Sequence, residues 1–420
     1  MTRFELKSGL EKVNYYAFLL LAFSLNFPQP IVRYSLAIWL ISCLFSINYK
    51  QKTNFKKTYY LPLYLIIVLI LGRIIVSLIH NDFSALLAKL LDTQLSLIFL
   101  PVLLILHVNR YFNLKQILIV YVIGCFISCF LVVCYFYLYR FNVLIGDVEG
   151  IPLGTNKHNL IEDIKMFQLF ISPYFKHRAA VGVNISLSVA ALIYLIKSEP
   201  KVTFKNVCLV IFLLALFALV IYVSGSRSGI LSFIIVLLSG AVYMFRRKKV
   251  IFITFLIVGL LIAGLSTLKT TRLIDKGVKY ENDNISTIDP RIQIWKSSVE
   301  VIDIQPWFGV GYSGIKPALF QKYEEKGLQL DLQAKHNTHN QFLQFAMESG
   351  VWAALIFASI LLPIYFGRKI YFLSFAFSTV FIVYSMFEDT FIIINALSIF
   401  VFFISLLILA QKQDDKILSE

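Results

Sequence analysis

The segment His336-Asn-Thr-His339-Asn340 carries the side chains of this chain that are best suited to acid–base chemistry. It joins a long polar stretch to an apolar segment that runs to Phe366. An imidazole at such a junction would lie at the level of the lipid head groups, and a helix that begins there favours anions at its start. The pattern therefore favours chemistry on a lipid-linked phosphate over simple packing.

Two arginines are candidate phosphate ligands. Arg227 lies in the turn Ser224-Gly-Ser-Arg-Ser-Gly229, and Arg291 follows Pro290 at the predicted start of a helix. A guanidinium binds phosphate oxygens bidentately, which an ammonium does less well. Each has a structural alternative, because Arg227 could extend to lipid head groups and Arg291 could cap its helix against acidic neighbours.

The composition predicts a membrane protein with many spans. The chain of 420 residues is 58% hydrophobic and only 15% charged, and its mean hydropathy is +0.76. Its net charge of +15 is spread through short loops between apolar runs, which argues against a nucleic-acid partner and fits the positive-inside rule. All five cysteines lie in apolar runs, and no acidic cluster has metal-ligand spacing, so we predict neither a metal nor a cofactor.

About twelve transmembrane helices fit the apolar runs, so the expected fold class is all-α and polytopic. The predicted spans are 13–28, 31–48, 58–80, 90–108, 116–139, 179–197, 206–223, 228–245, 250–268, 341–366, 370–387 and 391–411. With both termini in the cytoplasm, every short basic cluster falls on the cytoplasmic side of the inner membrane. The opposite side then receives segments 140–178 and 269–340.

The late segment 269–340 is predicted to fold rather than to hang free. A helix that begins near Arg291 would place four apolar side chains on one face, namely Ile292, Trp295, Val299 and Ile302. A glycine-rich turn, 306–314, ends that helix, and a second short helix is predicted over about 316–326. We therefore expect a packed helical cap that precedes the tenth span.

These residues resemble those of the O-antigen ligases and the related O-antigen polymerases. The resemblance covers 206–366 and includes the Arg227 turn, Arg291 and a signature of His, a polar residue, nine residues and Gly. Only His339 fits that spacing, since nine residues after its Asn lead to Gly350, whereas the count from His336 leads to Met347. The signature continues with Gly, Thr or Tyr three residues later, where this chain has Ala353.

The resemblance implies three domains and a glycosyl transfer outside the cytoplasm. The domains would be an N-terminal bundle of about six spans over 1–205, a ligase/polymerase-like domain over 206–366, and two C-terminal spans over 367–420, in a GT-C-like fold. The implied donor is a glycan on undecaprenyl pyrophosphate, and the implied acceptor is lipid A-core or another glycan in the membrane. Ligation, polymerisation and protein O-glycosylation stay open, and a transporter of about twelve spans is the alternative from another class.

His339 is the predicted base of an inverting, metal-independent transfer, and we expect nearby arginines and a helix start to hold it neutral. Its alternative is a hydrogen bond to loop backbone. The predicted donor-binding residues are Arg227, Arg291, Arg272, Arg73 and Arg178. The predicted acceptor-binding or orienting residues are Glu348, Glu388, Asp389, Trp295 and Tyr312. Three alternatives stay open: Arg73 could pair with a carboxylate such as Asp92, the Glu388–Asp389 pair could be solvated, and His177 could line the same cavity or anchor the span.

Overall fold

The structure is a computed structural model that describes residues 3–46, 57–106, 111–140, 178–199, 203–244, 290–328 and 337–419. These residues form helices without strands. In chain order the helices are α1 Arg3–Ser24, α2 Gln29–Phe45, α3 Leu61–Ile79, α4 Phe83–Asp92, α5 Leu95–Leu106, α6 Leu114–Arg140, α7 Arg178–Ser198, α8 Phe204–Ser224, α9 Arg227–Met244, α10 Pro290–Ile304, α11 Ile315–Glu325, α12 Gln341–Ser349, α13 Val351–Ile360, α14 Tyr371–Phe387 and α15 Ile394–Ser419.

The protein is an all-α polytopic membrane protein, as predicted. Six described helices are long and apolar enough to cross a membrane, namely α3 with the turn before it, α6, α7, α8, α9 and α15. The count becomes seven if the bent pair α4 and α5 forms one span, while α2, α13 and α14 are shorter apolar helices. The predicted span 250–268 lies outside the described residues.

The prediction of one span over 341–366 is wrong. Two helices, α12 and α13, occupy this stretch and are separated at Gly350, and a short 3-10 turn follows at Pro363–Tyr365. The break follows the polar pair Glu348 and Ser349, and the apolar run resumes at Val351. The cause lies in the backbone, because Gly350 has φ 104° and ψ 165°, a conformation that is essentially restricted to glycine.

The helices form two units by their internal contacts. One comprises Met1–Glu11, Leu40–Phe112 and Thr267–Glu420, and the other comprises Lys12–Trp39 and Asn113–Ser266. The first therefore contains α3 to α5 and α10 to α15, whereas α6 to α9 belong to the second. The division into 1–205, 206–366 and 367–420 follows chain order and stays a prediction.

A cluster of phenyl rings joins α12 to its neighbours in the first unit. The ring of Phe391, in the turn between α14 and α15, lies 5.5 Å from Phe345 of α12 and 5.1 Å from Phe357 of α13, both edge to face. Phe400 of α15 closes the cluster at 5.3 Å from Phe391. Edge-to-face contacts of this kind stabilise packing beyond the area that they bury. The cluster therefore sets the α14–α15 turn firmly against α12.

The predicted cap exists as α10 and α11, which pack on α12, and the predicted apolar face of α10 is correct at two of its four positions, since Ile302 is buried and Trp295 packs against the core. Ile292 and Val299 are exposed, whereas Ile294 and Val301 are buried in the core shared with α11 and α12. Two fully buried serines, Ser297 and Ser298, lie between them. The buried face of α10 is therefore rotated from the predicted one, toward Ile294 and Val301.

Candidate functional site

The spacing of the histidine–glycine signature is the length of one helix. Asn340 is the N-cap of α12, and its Oδ1 accepts hydrogen bonds from the backbone N–H groups of Phe342 at 3.0 Å and Leu343 at 3.1 Å. The nine residues that follow are the whole of α12, and Gly350 ends it. The motif therefore corresponds to a capped helix that ends at a glycine, and His339 directly precedes the capping residue.

Gly350 is required by the glycine-rich loop that crosses the end of α12. A Cβ atom at this position would lie 2.1 Å from the carbonyl oxygen of Trp307. From the other side, Gly309 has φ 64°, and a Cβ there would lie 2.4 Å from the carbonyl oxygen of Met347. The two glycines allow the loop and the helix end to touch through their backbones, which sets the position of α12.

His339 contacts Glu388, which also pairs with Arg291. Its Nδ1 atom lies 3.6 Å from Oε2 of Glu388, which follows α14 directly. The other oxygen of Glu388 lies 3.4 Å from Nη2 of Arg291, in the first turn of α10. Glu388 is buried, whereas the side chains of His339 and Arg291 are 33% and 29% exposed. One carboxylate thus connects the predicted base to a predicted phosphate ligand, both still reachable from outside.

Asp389 holds the backbone on both sides of His339. Its Oδ1 accepts a hydrogen bond of 2.6 Å from the hydroxyl of Thr338 and one of 3.0 Å from the backbone N–H of Asn340. Between these two residues, His339 has φ 47°, in the left-handed region that a residue with a Cβ adopts at a cost. The buried carboxylate therefore stabilises the strained conformation that directs the imidazole.

We expected nearby arginines to keep His339 neutral, but in the structure the main electrostatic influence on His339 is a carboxylate. The contact with Glu388 raises the pKa of His339 above its ordinary value, against the opposing effect of burial. Asp389 adds to the increase, and Arg291 lowers the pKa only as a smaller effect. The carboxylate is closer than the guanidinium, so the imidazole is a stronger base than the sequence suggested. Burial also raises the pKa of Asp389 itself.

Trp295 connects α10 to the His339 segment. Its indole N–H donates a hydrogen bond of 3.2 Å to the carbonyl oxygen of Thr338, and its ring lies 5.9 Å from that of Phe387. The guanidinium of Arg291 lies over the same Phe387 ring at 5.9 Å. Trp295 therefore orients the loop before α12 and fixes α10 beside it. Its predicted stacking on a sugar stays a prediction.

Arg73 and Glu348 form a buried ion pair, with 2.6 Å between Nε and Oε1. Arg73 also donates a hydrogen bond of 2.7 Å to Oε1 of Gln94. The alternative in which Arg73 pairs with a carboxylate is thus observed, but the partner is Glu348 rather than Asp92. The pair ties the end of α12 to α3 inside the protein.

The backbone of Phe391 is held between two glutamines that the sequence did not single out. Gln341, the first residue of α12, accepts a hydrogen bond of 2.8 Å from the N–H of Phe391. Gln94 donates one of 3.1 Å to its carbonyl oxygen. These bonds fix the turn that carries Glu388 and Asp389. Both acids are buried, so the alternative of a solvated pair is wrong.

Tyr312 lies at the end of the glycine-rich loop, half-buried and within electrostatic range of the Arg73–Glu348 pair. Burial is the main cause of a raised pKa of its phenol, and the nearby carboxylate of Glu348 adds to it. The neighbouring backbone N–H of Ser313 donates a hydrogen bond of 2.8 Å to Asp82, just after α3. Tyr312 is therefore on the side of the loop that faces α3 and α4.

Arg227 lies in the second unit, where the rest of its turn has structural roles. Gly225 ends α8 with φ 66°, and the Ser226 hydroxyl accepts a hydrogen bond of 3.0 Å from the backbone N–H of Gly229. Gly229 also packs against Gly182 of α7, since an added Cβ would meet its Cα at 2.7 Å. Arg227 itself is exposed in the first turn of α9, where a cation opposes the helix dipole. Its position is therefore not explained by helix stability.

The remaining predicted residues are not described by the structure at the level of their side chains. Arg272 and His177 lie outside the described residues, and for Arg178 only the backbone, as the first residue of α7, is described. Their proposed contacts stay predictions. His336, which the signature spacing had excluded, also lies outside the described residues.

A comparison with protein families finds one described as O-antigen ligase, whose model matches residues 210–358. This part of the chain is therefore similar to the O-antigen ligase family. The match includes Arg227, Arg291, His339 and Gly350, and it supports an enzyme of the ligase or polymerase type that transfers glycans. Comparison with curated proteins finds no match. Glu388 and Asp389 lie beyond the matched segment in the sequence, but the fold places them next to His339 and Asn340.

Proposed function

We propose that the protein is an O-antigen ligase that works at the periplasmic face of the bacterial inner membrane, with both termini in the cytoplasm. It moves a glycan from undecaprenyl pyrophosphate to a sugar hydroxyl of lipid A-core, with inversion and without a metal. The observation that carries this proposal is the contact of His339 with Glu388 beside Arg291, because both His339 and Arg291 lie in the segment that matches the O-antigen ligase family.

His339 acts as the general base in this proposal. With Nδ1 directed at Glu388, its Nε2 accepts the proton of the acceptor hydroxyl as that oxygen attacks the anomeric carbon. The bond between that carbon and the pyrophosphate oxygen breaks, and its electron pair leaves with undecaprenyl pyrophosphate. Glu388 stabilises the imidazolium that forms, and the raised pKa of His339 strengthens its pull on the proton.

The arginines stabilise the negative charge that develops on the leaving pyrophosphate. Arg291 does so from the first turn of α10, where its guanidinium is partly exposed beside the base. Arg227, which is exposed in the first turn of α9, stays a predicted donor ligand, as do Arg272 and Arg178. Arg73 is assigned instead to positioning α12, because its guanidinium is buried against Glu348 and Gln94.

Ala353 favours a second candidate function, that of an O-antigen polymerase. It stands where the ligase signature has Gly, Thr or Tyr, and it is fully buried in the first turn of α13. Its backbone N–H donates a hydrogen bond of 3.0 Å to the carbonyl oxygen of Gly350, so it lies at the helix break itself. A polymerase would use the same donor and the same base and would differ only in the acceptor, as would a protein O-oligosaccharyltransferase.

A deletion strain separates these functions by its glycolipids. Loss of a ligase leaves bare core, with polymer accumulating on the carrier lipid, which is the result that we expect. Loss of a polymerase instead leaves core that bears a single repeat unit. Unchanged lipopolysaccharide together with lost glycoprotein would assign the protein-glycosylating activity, and unchanged glycans of every class would contradict glycosyl transfer.

A further inference from the structure

The glycine-rich loop 306–311, called the aromatic loop below, has a backbone that is tightly held on the ends of α12 and α13. Two of its carbonyl groups accept hydrogen bonds from α13: Pro306 from the Val351 N–H at 2.9 Å, and Trp307 from the Trp352 indole at 3.0 Å. Two of its N–H groups donate to carbonyl oxygens of α12: Val310 to Met347 at 2.7 Å, and Gly311 to Glu348 at 3.2 Å. The conformation of the loop is thus determined by the helices beneath it.

Two large aromatic side chains project from this fixed backbone. Trp307 is 70% exposed and Phe308 is 55% exposed. Apolar rings held at such exposure cost free energy in water, and a rigid backbone cannot turn them inward. The arrangement therefore implies that something else covers the two rings.

The surface around the aromatic loop is apolar and continues onto a predicted transmembrane helix. Val351 and Leu355 are exposed on one face of α13, next to the loop. The Trp352 ring lies against α3, since a Cβ at Gly72 would meet it at 2.2 Å. Near Gly72, α3 also has apolar side chains that are exposed, namely Leu71, Ile75, Leu78 and Ile79. Because α3 is a candidate span, its outer side faces lipid.

We propose that Trp307 and Phe308 insert into the interfacial layer of the lipid bilayer and anchor the aromatic loop there. Tryptophan prefers this layer, where an apolar ring meets hydrated head groups. The continuity with the exposed faces of α13 and α3 favours lipid over a glycan, because a sugar site would need convergent polar groups around the rings. The anchor itself does not depend on the glycosyl transfer proposed above, whereas its effect on His339, described next, rests on that proposal.

The anchor would set the depth of the catalytic histidine. The aromatic loop contacts the Gly350 end of α12, and His339 lies at the opposite end of this helix. Nine residues at ~1.5 Å per residue separate the two ends by about 14 Å. A loop fixed in the bilayer interface would thus place His339 at a constant distance from the membrane level at which a lipid-linked donor enters.

Fluorescence quenching in proteoliposomes tests the anchor without any substrate. The chain has four tryptophans, so the emission of Trp307 is obtained as the difference between the wild type and Trp307→Phe, which keeps an aromatic ring. The vesicles contain phosphatidylcholine brominated either near the carbonyl end or near the methyl end of its acyl chains. Trp295→Phe serves as the matched control, because Trp295 is half-buried and hydrogen-bonded inside the protein.

We expect the Trp307 emission to lose most of its intensity with bromine near the carbonyl end and less with bromine near the methyl end. The double variant Trp307→Phe/Phe308→Trp should transfer this quenching to the new reporter. Emission that brominated lipid leaves unchanged would overturn the proposal. If that unquenched emission responded instead to a soluble acceptor glycan, the two rings would belong to a sugar-binding surface.

Discussion

Replacing Asp389 by Ala should slow glycan transfer although residue His339 itself is unchanged. Asp389 accepts two hydrogen bonds, from Thr338 and from the N–H of Asn340, and they hold His339 at φ 47°. Hydrogen bonds to a charged group contribute about 1.5–3 kcal/mol each. A left-handed residue with a side chain costs roughly 1–3 kcal/mol. The two bonds thus outweigh the strain, and without them the segment relaxes to another conformation.

The expected loss of activity follows from the backbone strain at His339, which the hydrogen bonds to Asp389 no longer offset. A difference of about 1–3 kcal/mol corresponds to a roughly 5- to 150-fold smaller population of the active conformation. Asp389→Asn keeps an oxygen acceptor at the same place with weaker, uncharged bonds, so its loss should be smaller. Thr338→Val removes the bond of 2.6 Å together with the contacts of the same hydroxyl to Asn340 and Gln344, and its loss should be smaller than that of Asp389→Ala because Asp389 still accepts the N–H of Asn340.

The assay is transfer from a lipid-linked donor by the purified protein in proteoliposomes, with kcat and the KM for the acceptor measured separately. Because Asp389 acts on the backbone around the base, we expect kcat to fall with little change in KM. Thermal denaturation in detergent shows whether the variants are folded. A wild-type kcat in folded Asp389→Ala would refute the role, and a loss confined to KM would make Asp389 an acceptor ligand.

The remaining predictions concern the base, the helix break and the buried ion pair. Glu388→Gln removes the main cause of the raised pKa of His339, so the rising limb of the rate–pH profile should move to lower pH and the maximal rate should fall. Gly350→Ala should destabilise the fold by at least ~1–3 kcal/mol, measured as an earlier thermal transition. Glu348→Gln leaves the Arg73 charge buried without a counter-ion and should cost about 3–5 kcal/mol by the same measurement.

The two variants that test stability each have a matched control. Gly327 also has a positive φ, 67°, but no atom within 4 Å of an added Cβ, so Gly327→Ala should lower stability less than Gly350→Ala. Arg73→Met in the Glu348→Gln background removes the isolated charge and should restore part of the stability. An unchanged pH profile in Glu388→Gln would show that the carboxylate does not tune His339, and equal melting of the two alanine variants would contradict the close contact at Gly350.

Local features of the site could be predicted from the sequence because they depend on neighbouring residues. Pro290 predicts the start of α10, and the count from His339 to Gly350 selects the residues that turn out to be a capped helix with a glycine break. The helical fold follows from the long apolar runs. In each case the physical cause lies within one or two helical turns of the residue concerned.

The partners of these residues could not be predicted because they are distant in the chain. Glu388 follows His339 by 49 positions and looked like half of a solvated pair, and Arg73 meets Glu348 across 275 positions. Only the phenyl cluster and the glutamines around Phe391 bring the acids to α12. Ile294 and Val301 of α10 were missed for a related reason, because their burial depends on packing against α11 and α12.

The central claim is that His339 carries the transfer, and a lipopolysaccharide gel of a complemented deletion strain tests it most directly. The compared variants are His339→Ala and His336→Ala, which differ by three positions and only one of which fits the signature spacing. We expect His339→Ala to lose polymer attachment at normal expression and His336→Ala to retain it. Normal attachment in well-expressed His339→Ala would contradict the catalytic role.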